Sequence, residues 1–113
     1  HINSVDNAPN ANGTEVYYAD SNNGNAYGTT SEKLATNILN RMLYYMGSTN
    51  RGVKTAEHAV TKRCEMPAAL TEVGFITNPT EVYNMTTDEY QYKAAQGIAE
   101  GIMITLKDIN VPQ

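Results

Sequence analysis

A glutamate inside an apolar run is the side chain in this sequence best placed to do chemistry. In MPAALTEVGFITNPTE, residues 66 to 81, Pro67 opens a stretch that reads as a buried strand, and Glu72 sits within it just ahead of Gly74. A buried carboxylate without a partner is costly, so it either shifts its pKa or finds a cation. Toward the carboxyl end of a strand in an open α/β sheet, it also lies where ligands bind. Two readings follow from the residues alone: a reactive carboxylate that handles protons, or a structural one ion-paired to Arg51 or Lys54. His1 and His58 are each isolated from a second ligand at metal-binding spacing. Alone, His1 reads as a terminal residue and His58 as a structural or surface histidine. Cys64 is the single cysteine, which cannot form an internal disulfide and reads as an ordinary thiol.

Several elements must hold Glu72 in place. TEVYYA, residues 14 to 19, alternates Val16 and Tyr18 with Glu15 and Tyr17 at the period of a strand. DSNNGNAYG then breaks the pattern with turn formers. Thr29 and Glu32 form a capping-box pattern ahead of Leu34, Ile38, Leu39, Met42, Leu43 and Met46, which predicts an amphipathic helix of about four turns stopped at Gly47. RGVKTA and HAVTKR read as short extended pieces, and PAALTEVGF as a strand covered on both faces. A short helix is expected over 79 to 84. A second capping pattern, Thr86 with Glu89, opens a long helix whose apolar stripe is Tyr92, Ala95, Ile98, Ala99, Ile102 and Leu106. Gly97 and Gly101 lie on a neighbouring face, where glycine costs about 1 kcal/mol relative to alanine. Close approach of that helix to the sheet is the expected compensation.

Alternating strands and helices predict an α/β fold, with a mixed, mostly parallel sheet flanked by helices. With so few strands the sheet is thin, and a bare edge would favour self-association. The 113 residues fit one domain or a piece of one, and there is no initiator methionine, so the first residue is expected to be an interior one of a longer protein. Twelve acidic and eight basic residues give a net charge of −4 without a basic cluster, which argues against nucleic acid as a partner. No stretch approaches the roughly 20 apolar residues of a membrane span, and any export signal is expected outside this chain.

The residues around Glu72 carry a resemblance. MPAALTEVGFITNPTE resembles the signature of zinc-dependent N-acetylmuramoyl-L-alanine amidases at Pro67, Glu72, Val73, Gly74, Phe75, Asn78 and Glu81. NRGVK, residues 50 to 54, is similar to the element that precedes the signature in that family, and NGTEVYY to an earlier strand. HIN resembles the end of a Ser-(Ile/Leu)-His-Ala-Asn motif whose histidine ligates zinc, and YQYKAAQGIAEGI the closing helix. The likeness runs in order along nearly the whole chain. It implies that 1–113 is the C-terminal portion of a single amidase catalytic domain, truncated on its N-terminal side. His1 would be a zinc ligand and Glu72 the catalytic glutamate, and two further zinc ligands of the family have no counterpart here. His58 and Thr61 fall where the family usually has apolar residues.

The implied activity is that of a secreted bacterial cell-wall hydrolase of the autolysin kind. It would act on peptidoglycan outside the cell, cleaving the amide between N-acetylmuramic acid and L-alanine. Zinc would be its cofactor in the complete domain, and the 113 residues alone would be inactive. The alternatives are a non-catalytic cell-wall-binding fragment or a zinc carboxypeptidase.

Overall fold

The computed structural model describes residues 1–109 of the 113. Three strands, β1 (Thr14–Tyr18), β2 (Asn50–Thr55) and β3 (Leu70–Glu72), form a sheet of order β2-β1-β3. β1 pairs parallel with β2 and antiparallel with β3, so the sheet is mixed. Residues 1 to 3 extend it past β3: the His1 backbone nitrogen donates to the Thr71 carbonyl, the Val73 and Ile76 amides donate to the His1 and Asn3 carbonyls, and Asn3 N–H reaches Gly74, all at 2.8 to 3.0 Å. Among the described residues the outer edge of β2 has no partner strand.

Four α-helices accompany the sheet among the described residues: α1 (Ser31–Met46), α2 (Ala59–Lys62), α3 (Pro79–Met85) and α4 (Asp88–Leu106). Both long helices start one residue later than their capping patterns predict. Thr30 and Thr87, each the second of two adjacent threonines, accept hydrogen bonds from the Lys33 and Tyr90 amides. Gly47 ends α1 in the left-handed region at φ +66°, and its N–H returns to the Leu43 carbonyl. HAVTKR, expected to be extended, instead contains the single turn of α2, with Thr61 buried and its hydroxyl donating to the His58 carbonyl at 3.1 Å. The third strand is also shorter than PAALTEVGF predicts, since only Leu70–Glu72 pair with β1.

The core lies between the Val16 and Tyr18 face of β1 and α1, through Ala35, Ile38, Leu39 and Met42, with α4 laid against α1. α4 turns its small residues inward: Ala94, Gly97, Gly101 and Thr105 are buried. The predicted apolar stripe is instead largely exposed, with Tyr92 at 71%. The two glycines explain the inversion. A Cβ on Gly97 would stand 2.5 Å from Met42 Cα, and one on Gly101 2.4 Å from Ile38 Cα. The close approach is therefore helix to helix, not helix to sheet, and it is set by backbone contact.

Candidate active site

The face of the sheet opposite α1 collects the ionisable residues. Strand alternation sends Glu15 and Tyr17 there, away from Val16 and Tyr18. The antiparallel register sets Glu72 directly opposite Glu15, and the parallel register sets Lys54 opposite Tyr17.

Arg51 joins them through a bulge. In a regular strand residues 51 and 54 would point to opposite faces. The β1–β2 register shifts between Thr14 and Glu15, which pair with Asn50 and Gly52, so Arg51 is the extra residue. Gly52 absorbs the distortion at φ +89°, a conformation costly for other residues. As a result Arg51 Nε and Lys54 Nζ both reach Glu15 Oε2, at 3.1 and 2.5 Å. Asn3 Nδ2 and the Tyr17 hydroxyl donate to Glu15 Oε1 at 2.9 and 3.1 Å. Arg51 also lies over the Phe75 ring, 4.9 Å from its centroid. Burial works to raise the pKa of Glu15, but the hydrogen bonds from Lys54, Arg51 and Tyr17 outweigh it and hold the carboxyl below its ordinary range.

Glu72 is thus not the partner of Arg51 or Lys54. It is 7% exposed, and both of its carboxylate oxygens lie 2.9 to 3.0 Å from His1 Nδ1. Burial raises its pKa, the charge of Glu15 adds to that, and the chain's amino group and His58 pull it partly back. An ionised Glu72 accepts, so Nδ1 carries the proton and Nε2 keeps the lone pair. This is the arrangement by which a second partner orients a metal-ligating histidine. The His1 side chain is 64% exposed, so its ring faces outward from the sheet. His58, just ahead of α2, sits edge-on to Tyr17 with ring centroids 5.2 Å apart, and its buried Nδ1 has no hydrogen-bond partner among the described residues.

His1 and Glu72 are donors of the types zinc accepts, but a catalytic zinc needs three protein ligands. Among the described residues no three His, Cys, Asp or Glu side chains converge on one point. The donors of this chain therefore do not by themselves fit a zinc site. The more apolar concavities lie elsewhere. One of about 470 Å³, lined by Tyr27, Leu34, Met66, Pro67, Ile102 and Leu106 among others, contains neither carboxylate nor imidazole. No helix among the described residues is long and apolar enough to cross a membrane.

Other residues of the 66–81 segment hold the site's frame. Asn78 caps α3 by accepting from the Thr80 and Glu81 amides at 3.0 Å. Glu81 is buried and its Oε1 accepts from the Gly13 and Phe75 amides, both at 3.0 Å. Its carboxylate lies 3.1 Å from where a Cβ on Gly74 would stand. Two acids thus take parts that sequence reasoning did not assign. Glu15 had a signal in its place on the face opposite Val16, and Glu81 in its place within the signature.

The family model described as N-acetylmuramoyl-L-alanine amidase matches residues 1–103. The N-acetylmuramoyl-L-alanine amidase LytC of Bacillus subtilis is 36% identical over 101 residues, which are 89% of this chain and 19% of LytC. Among solved structures, the N-acetylmuramoyl-L-alanine amidase AmiC2 of Nostoc punctiforme superposes with a TM-score of 0.83 at 36% identity, over 95% of this chain and 55% of that one. An N-acetylmuramoyl-L-alanine amidase from Clostridium difficile 630 gives a TM-score of 0.86 at 29% identity, with the same two coverages. The chain therefore spans about half of each of these solved structures and a smaller share of LytC.

Proposed function

Because this chain belongs to the N-acetylmuramoyl-L-alanine amidase family, we propose that the protein containing it hydrolyses the amide between N-acetylmuramic acid and L-alanine in peptidoglycan. On this reading residues 1–113 are the C-terminal portion of the catalytic domain, and the protein acts at the cell wall, outside the cell, as a secreted hydrolase of the autolysin kind. The observation that carries the proposal is the pairing of buried Glu72 with His1 at the carboxyl end of β3.

Each residue has a role that follows from its surroundings. His1, oriented through Nδ1 by Glu72, offers Nε2 as one zinc ligand, the remaining ligands being contributed by residues outside these 113. Zinc bound there would polarise the carbonyl under attack and bring the pKa of water toward neutrality. Glu72 takes the proton from the attacking water and passes it to the departing nitrogen of L-alanine. A carboxyl held above its ordinary range by burial is suited to both steps, since it binds the proton more readily and still releases it. The 113 residues alone are proposed to be inactive, because three ligands are needed and they supply one.

The test uses the protein with its complete amidase domain on purified peptidoglycan, following the new amino groups of L-alanine. Glu72→Gln is expected to lower kcat about 10²- to 10⁴-fold, the range of general acid–base catalysis. An unchanged rate refutes the role given to Glu72. Release of single terminal amino acids, instead of whole stem peptides, refutes the bond assignment.

A further inference from the structure

We propose that Glu15 is a positioning residue for Glu72: by holding both neighbouring cations on its own carboxylate, it keeps Glu72 turned toward His1. The inference rests on the amidase reading for what Glu72 does, but its structural content stands on geometry alone.

Two acids face each other across the β1–β3 pair, and two cations, Arg51 and Lys54, share that face. Like charges directly opposite one another are unfavourable unless compensated. The even solution would give each carboxylate one cation. The observed solution gives both to Glu15, and both to the same oxygen, Oε2. The other oxygen takes Asn3 and Tyr17. A carboxylate accepts about four hydrogen bonds, so Glu15 is saturated, and at 2% exposure it has no use for water. Glu72 is left with His1 as its side-chain partner among the described residues.

The backbone is built to this end. Without the bulge at Arg51, the guanidinium would leave this face, and Glu15 would hold Lys54 alone. The same carboxylate also ties down Asn3, two residues from His1, so the segment bearing the imidazole is anchored to the group that removes competing cations from Glu72. Tyr17 and His58, the remaining ring groups on this side, contact Glu15 and each other, and neither has a recorded hydrogen bond to Glu72.

The experiment compares Glu15→Gln with the triple variant Glu15→Gln/Arg51→Met/Lys54→Met in the protein with its complete domain. In the single variant the released cations have only Glu72 to bind. A crystal structure is expected to show Lys54 Nζ about 3 Å from a Glu72 oxygen, and kcat is expected to fall roughly 10²-fold, the cost of a displaced reacting group, with KM changing far less. The triple variant leaves no cation to capture Glu72 and should recover most of the lost kcat. A role in folding alone predicts no such recovery, because the triple variant loses more contacts than the single one. A folded triple variant as inactive as Glu15→Gln overturns the proposal, as does a Glu15→Gln structure with Glu72 still on His1. If Glu15→Gln does not fold, the triple variant decides: a folded, active protein supports the proposal and a folded, inactive one overturns it. If the unaltered protein cleaves no muramoyl amide, the amidase reading fails, and the position of Lys54 in the Glu15→Gln or Glu15→Ala structure still decides whether Glu15 keeps cations from Glu72.

Discussion

Replacing Gly101 with alanine tests the account of the helix pair. In isolation the change should help, because alanine is favoured over glycine within a helix by about 1 kcal/mol. Here the new methyl would stand 2.4 Å from Ile38 Cα and 2.6 Å from Ile38 N. Ordinary carbon contacts lie at about 3.5 to 4.0 Å, so α1 and α4 must part by roughly 1 to 1.5 Å. No rotamer change relieves the clash, since backbone atoms stand on the other side. The separation loosens Ala94 from the cluster formed by Ala35, Ile38, Leu39 and Met42. Overpacking of this kind costs about 1 to 3 kcal/mol, and more where nothing can yield. We therefore expect a net loss of about 2 kcal/mol, seen as a lower urea midpoint with an unchanged slope. Gly24→Ala is the control, because a Cβ there meets nothing within 4 Å, and it should change stability by less than about 0.5 kcal/mol. Gly97→Ala should behave like Gly101→Ala, and the double variant should cost less than the sum, since one displacement relieves both contacts. A Gly101→Ala protein as stable as the parent, or more so, would refute the backbone-contact explanation of the buried face of α4.

Two further outcomes follow from the buried acids. Glu81→Ala should destabilise by about 1 to 3 kcal/mol for each amide left without its acceptor, whereas Glu81→Gln should be far milder, because both the Gly13 and the Phe75 amides donate to Oε1; equal losses by urea unfolding would show that the charge, and not the acceptor, matters. Glu15 has a lowered pKa in the folded protein, so its contribution is present above the unfolded carboxyl value of 4.5 and is lost as pH falls through the folded value. Stability measured down through this range should therefore fall more steeply in the parent than in Glu15→Gln, and parallel curves would contradict the assignment.

Much of the frame was legible from residue order. α1, α3 and α4 follow from capping residues, apolar spacing and Gly47. Their starts are displaced by one because each cap lies in a pair of threonines, either of which satisfies the pattern. Glu72 was legible because an acid inside an apolar run has few explanations. The inward face of α4 was not, since a hydrophobic period points to Ile98 and Ile102 and carries no record that a glycine seam can bring two backbones together. The true partner of Arg51 and Lys54 was hidden for a different reason: an irregularity of one residue in β2 changes which face each side chain occupies. HAVTKR was misread because four helical residues are too few to display a period.

That irregularity also makes β2 unevenly sensitive to changes in length. Loss of Arg51 alone would remove the surplus residue and leave Val53 and Lys54 pointing as they do now, opposite Val16 and Tyr17. Loss of a residue beyond Gly52 would invert everything after it and drive an ammonium group toward Val16 and Leu39. Two deletions only a few positions apart in an edge strand, one tolerable and one ruinous, would thus be told apart by counting alone.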